Sequence, residues 1–287
     1  MNRFKDWLIK VFDVLNAHWE NHHTHQRISA VLVVSFLLGL LFSDLVMRGV
    51  IPASIIGRTE VNHFFAIEVA FTLLLLTELV ALVFIFPNSV ARSVGKQIEL
   101  LSLILLRSAF KELKVYEEPI VWLDHQEAIF KMIAEAGGSL LIFFLLGIYY
   151  YIYQRVYISN NEAEKEQFIQ YKKLLALFLL ASFIWIGITD TYSILVHGVY
   201  PSSFNTFYTI LIFVDICLVL IALRYTMEYH KIFRYSAFVL TTVLIRIALS
   251  LPLYMNVILG VVSAGFLVCT ALASNFFIMS LRKSKVE

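Results

Sequence analysis

VGKQIELLSLILLRSAFKE, residues 94–112, decides how this chain is threaded. The segment is about as long as a membrane-crossing helix must be, yet it carries Lys96, Glu99 and Arg107. If it spans, the chain crosses eight times. If it lies along the interface, the chain crosses seven times and its two ends face opposite sides.

The surrounding sequence settles the class of protein. Of 287 residues, 60% are hydrophobic and only 15% charged, and the mean hydropathy is +0.78. A soluble domain of this size needs far more polar surface, and the apolar runs are long enough for transmembrane helices. The fold class expected is all-α, a polytopic transmembrane bundle of about eight spans at 28–47, 62–86, 94–112, 128–154, 174–196, 204–224, 235–251 and 257–280, with Pro252 making a tight break between the last two. Residues 1–27 lack the short apolar core of a cleavable leader, so the first span is expected to act as its own insertion signal. Cys217 and Cys269 lie inside apolar runs and report nothing about redox compartment. A net charge of +2 suggests no polyanionic partner, and nothing resembles a nucleic-acid module.

Basic residues decide the threading. With eight spans and an internal N-terminus, Arg3, Lys5, Lys10, Arg27, Arg92, Lys96, Arg155, Lys165, Lys172, Lys173, Arg224, Lys231, Arg234, Arg282, Lys283 and Lys285 fall on the inner side. The outer side holds only Arg48, Arg58, Lys111 and Lys114. That asymmetry is the one the positive-inside rule demands. The expected protein sits in the plasma or inner membrane with both termini cytoplasmic. Its expected parts are an amphipathic helix (1–26), a first four-helix half (27–158), a charged linker (159–173), a second four-helix half (174–281) and a short tail (282–287). Both halves would run in the same direction, as in a parallel duplication.

The N-terminal stretch spaces Phe4, Trp7, Leu8, Val11, Phe12 and Leu15 along one helical face. This predicts a helix lying in the membrane surface, or packed on the protein itself. If that helix continues, His18, His22 and His25 share a face with metal-ligand spacing. A polar membrane-proximal junction is the plainer reading of the same histidines. Gly137 and Gly138 point to close helix packing, and the tyrosines from 149 to 157 to an interfacial belt. There is no P-loop, nucleophile elbow or HExxH, and His63 and His197 lie at span ends, so no cofactor is expected.

The ionisable residues inside the spans are the functional candidates, because a charge at hydrocarbon depth needs a partner, a proton or water. If helices two and three turn sharply at Pro87, Glu68 lies level with Arg107 and Glu78 with Glu99. The expectation is therefore an outer Glu68–Arg107 pair and an inner Glu78/Glu99 acidic pair, the latter needing a proton or a cation such as Lys96. Glu135 lies about two turns into its span. Asp215 and Arg246 fall near mid-span of neighbouring helices and should meet.

Phe64-Phe65-Ala66-Ile67-Glu68, the second acid Glu78 before Leu79, the exit Phe84-Ile85-Phe86-Pro87 and Glu99 in Gln97-Ile98-Glu99 together resemble helices two and three of voltage-sensor domains. The resemblance covers Asn62 to Phe110 and implies a four-helix bundle whose inner acids handle gating cations. Two features depart from it. Leu75 stands where the family has an aromatic, and span 128–154 lacks the arginine ladder, with Lys131 and Arg155 at its ends. No TVGYG-type filter is present. The leading expectation is a non-enzymatic bundle that senses or conducts protons or cations through Glu68, Glu78, Glu99, Arg107 and Glu135. The alternative is an accessory subunit whose charges dock partner helices, in a homo-oligomer or with other membrane subunits. A transporter or lipid-acting enzyme comes third.

Overall fold

The computed structural model describes residues 2–50, 62–87, 90–115, 126–153, 162–197, 203–225 and 228–283. Nine α-helices occupy most of them: α1 (Asn2–Trp19), α2 (His22–Met47), α3 (Phe65–Ile85), α4 (Val90–Lys111), α5 (Gln126–Ile152), α6 (Glu162–His197), α7 (Ser203–Leu223), α8 (Tyr229–Ser250) and α9 (Leu253–Lys283). Six of these, α2, α3, α5, α6, α8 and α9, are long and apolar enough to cross a membrane by length and composition. The chain is a multi-pass integral membrane protein. The apolar stretch of α7, Thr206–Ala222, is shorter. Helix α4 is long enough, about 33 Å, but too polar to be counted by the same measure. Arg58, Arg155, Tyr157, residues 159–161 and the tail beyond Lys283 lie outside the described residues.

Neighbouring helices alternate in direction, as side-chain register shows. Phe71 of α3 meets Phe110 of α4. Tyr149 donates to the Ala91 carbonyl at 2.9 Å and Ser139 to the Ser102 carbonyl at 2.7 Å, so α4 and α5 are antiparallel. Phe183 packs on Phe207 and Phe168 on Tyr225, so α6 and α7 are antiparallel too. Helices α5 and α9 run parallel: Gly138 faces Val257, Ile142 faces Gly260, and Asn275 donates to the Ile152 carbonyl at 2.8 Å. That last bond satisfies a backbone oxygen that the end of α5 leaves without a helical partner.

Helix α4 lies at the centre, packed against α3, α5, α8 and α9. Eleven of its residues are buried, Ser93, Gln97 and Ser102 among them. The face of α4 that packs on other helices can keep polar side chains if they find partners, while Leu103, Leu106 and Phe110 stay exposed.

Three expectations are corrected in detail. The charged linker is helical from Glu162 onward and forms the first turns of α6. Tyr149 is a core residue rather than part of a surface belt, while Tyr151 is exposed. The N-terminal helix stops at Trp19, and Asn21 caps a new helix by accepting from the His23 N–H at 3.1 Å.

The apolar face of α1 divides in two. Phe12 is 3% exposed and meets Phe84, as does Trp19. Asp13 accepts from Lys173 of α6 at 2.6 Å. Phe4 and Trp7 stack on each other and stay exposed, together with Val14. The helix therefore packs on the protein along one stripe and offers a second apolar stripe outward.

Among the described glycines Gly138 is the tightest: an added Cβ would run into Val257 Cγ1, whereas Gly137 next to it faces open space. Gly138→Ala should destabilise the protein by about 1–3 kcal/mol, because a β-branched neighbour cannot swing aside. Gly137→Ala should stay within about 0.5 kcal/mol of the parent. Thermal unfolding of the two variants in the same detergent checks the contrast.

Candidate functional site

The intramembrane charges resolve into two ion pairs, a surface cluster and one buried carboxyl. Arg107 of α4 forks onto Glu78 of α3, its two terminal nitrogens donating to the two carboxylate oxygens at 2.5 Å each. Both side chains are mostly buried, at 17% and 14% exposure. The expected partner was Glu68, and the reason for the change is register. Phe71 opposite Phe110 places Arg107 level with about Leu74, one turn from Glu78 and further from Glu68. Helical side chains lean toward their own N-terminus. In an antiparallel pair Arg107 and Glu78 therefore lean toward each other, while Glu68 leans away from Arg107.

Glu99 does not share a site with Glu78. It pairs with Lys96 on its own helix, the cation named for it from sequence, and accepts a 2.6 Å hydrogen bond from the Tyr150 hydroxyl. Gly95 makes room for that tyrosine, whose hydroxyl lies 2.8 Å from where a Cβ would stand. With Glu78 held by Arg107 and Glu99 by Lys96 and Tyr150, the expected acidic pair is not formed.

The second pair is where the sequence placed it. Arg246 of α8 donates to Asp215 Oδ2 of α7 from Nη2 at 2.7 Å and from Nε at 3.1 Å, at 3% and 5% side-chain exposure. It also donates to Gln97 Oε1 of α4 at 3.3 Å. Gln97 was not among the sequence candidates. Its signal is a polar residue four positions after Ser93, on a face of α4 away from Glu99.

The two pairs occupy similar places along their helices. Glu78 and Asp215 are the fourteenth and thirteenth residues of 21-residue helices. Arg107 and Arg246 are each the eighteenth residue of a 22-residue helix. The geometry differs: Arg107 forks onto both oxygens of Glu78, whereas Arg246 places two nitrogens on the single oxygen Oδ2 of Asp215.

Glu135 of α5 is different. It is 2% exposed and its Oε2 has no hydrogen-bond partner. The Ser108 side chain of α4 hydrogen-bonds the carboxyl, and Glu112 and Lys111, at the end of α4, are close enough to act on it electrostatically. It is a buried carboxyl with an open oxygen and no cation bonded to it.

The histidines do not converge. The helix break at Glu20–Asn21 separates His18 from the other two; His22 Nε2 meets Gln26 and the His25 ring lies against Trp19. Among the described residues no group of three or more histidine, cysteine, aspartate or glutamate side chains is arranged to hold a metal ion. The candidate set His18, His22 and His25 is corrected for that reason.

Fold and site together define a polytopic helical membrane protein with internally neutralised charges. Compared with known proteins, the chain matches no protein family, no curated protein and no solved structure.

Breaking one partner of the Asp215–Arg246 pair, as in Arg246→Met, should cost about 3–5 kcal/mol, because it strands a buried charge. The combined Asp215→Leu/Arg246→Met variant should recover much of that loss. A double-mutant cycle read by unfolding in detergent checks the non-additivity.

Proposed function

We propose that this protein binds protons within the membrane and passes them across it, with Glu135 as the group that carries the proton. The observation behind this reading is the buried Glu135 carboxyl with one unpartnered oxygen. An acid held away from water without a counter-charge bonded to it is suited to taking up and releasing a proton. Ser108 can hand a proton to it or take one from it, and Glu112 and Lys111 set the local field at one end of α4.

Glu78 and Arg107 have a structural role in this reading, since each satisfies the other. Glu68 and Glu99 are secondary candidates, Glu99 through its bond to the Tyr150 hydroxyl. The voltage-sensor resemblance supplies the acids of α3 and α4. Its mobile cations have no counterpart on α5, where Lys131 is the only basic residue, so we extend the reading to protons and not to voltage sensing. An accessory subunit that docks partner helices by charge gains little support, because Glu78, Arg107, Asp215 and Arg246 find their partners within this chain.

The same proposal gives the chain eight traverses in two four-helix halves, with both ends on the cytoplasmic side. What supports it is the alternation of helix direction through α4 and α7 and the similar places of the two acid–arginine pairs along their helices.

Two measurements test these points. Purified protein in liposomes should dissipate an imposed pH gradient, and Glu135→Gln should reduce the flux to that of empty vesicles while Glu78→Gln with Arg107→Met retains it. Flux by the parent no faster than in empty vesicles would overturn the proposal. For the threading, Glu112→Cys should react with a membrane-impermeant thiol reagent from outside intact cells. Reaction from the cytoplasmic side alone would remove α4 from the spans.

A further inference from the structure

The Asp215–Arg246–Gln97 node borders a small cavity among the end of α3 and helices α4, α7 and α8. Its polar lining is Ser93, Gln97, Asp215 and Thr242, all buried. The space is about 10 Å³, at the lower edge of what one water molecule requires. Size alone would not say whether such a cavity is dry. Its chemistry does: empty cavities in proteins are lined by apolar groups, and a buried water needs two to four polar partners.

We infer that this cavity is a binding site for a single water, which ties the Asp215 carboxylate to α4. Both bonds from Arg246 end on Asp215 Oδ2, which leaves Oδ1 as the oxygen free to accept from the water. Gln97 uses its Oε1 to accept from Arg246, so its amide N–H groups are the donors on the α4 side. Thr242 gives its hydroxyl proton to the Val239 carbonyl at 2.8 Å and keeps a lone pair for a further donor. The Ser93 hydroxyl rotates to fit either role. A water there can donate to Asp215 Oδ1 and Thr242 Oγ1 and accept from Gln97 Nε2, with the Ser93 hydroxyl as a further partner. A metal cation suits the same place poorly, because the Arg246 guanidinium already neutralises the only carboxylate there.

The water would lie between α4 and α7. Arg246 reaches Gln97 directly; Asp215 would reach α4 only through the water. The inference does not depend on Glu135 or on proton passage.

Radiolytic hydroxyl labelling of the full chain in lipid nanodiscs, read by mass spectrometry, tests it. A bound water generates radicals in place, so Leu218 and Val239, which line the cavity and are only 3% and 7% exposed, should be oxidised. Leu179 and Leu211 are fully buried, do not line the cavity, and serve as the unlabelled baseline. Ser93→Val removes one polar partner and adds carbon to the cavity, and labelling at Leu218 and Val239 should be lost. Labelling of those two residues at the baseline level in the parent protein would overturn the inference, as would labelling that persists unchanged in a folded Ser93→Val variant. If the variant does not fold, the contrast within the parent protein decides alone.

Discussion

Arg246 carries a permanent charge in the middle of a hydrophobic bundle, and much of the architecture follows from what that charge requires. A guanidinium cannot be neutralised by losing a proton, so it must be enclosed by acceptors. Asp215 supplies one from α7 and Gln97 another from α4. Three helices, α4, α7 and α8, are thereby fixed to one point. The arginine has the further effect of forbidding rearrangements, since any sliding of α4 past α8 would separate Gln97 from it.

The central place of α4 explains its composition. A helix facing lipid is selected for apolar side chains all round, but α4 meets other helices on most sides. Ser102 accepts from Ser139 through its backbone carbonyl, the Ala91 carbonyl accepts from Tyr149, and Arg107 forks onto Glu78. These polar groups of the helix are matched by groups on its neighbours, which is the condition for placing polarity in a membrane bundle. The small residues serve the same packing: Gly138 and Gly260 let α5 and α9 lie close together against α4. The α1 helix finishes the assembly at one end, with Phe12 and Trp19 seated on Phe84.

Within this framework the functional candidates separate by what they already have. Glu78 and Asp215 have arginines, and Glu99 has a lysine and a tyrosine. The arginine bonds of Glu78 and Asp215 stabilise the fold and are not available for chemistry without breaking it. Glu135 is buried to a similar degree but keeps an oxygen unused. Availability, rather than mere burial, is what makes a carboxyl a candidate for carrying a proton.

The sequence alone determined the membrane character, the helical class, the existence of every helix and the meeting of Asp215 with Arg246, because hydropathy, periodicity and the expense of an isolated charge are local or pairwise properties. The break at Leu251–Pro252 was equally legible, proline fixing the preceding residue in an extended conformation. The partner of Arg107 was not. Sequence spacing assumes that two helices start level at their turn, whereas the Phe71–Phe110 contact shifts the register and the lean of the side chains selects Glu78 over Glu68. The histidine triad failed at a single capping residue, Asn21, that ended one helix and began another. Only the tertiary structure decided that α4 packs against four other helices, that Gln97 joins the arginine node, and that Glu135 is buried with an unpartnered oxygen and no cation bonded to it. Those outcomes depend on which helix faces which, and that is set by packing across the whole bundle.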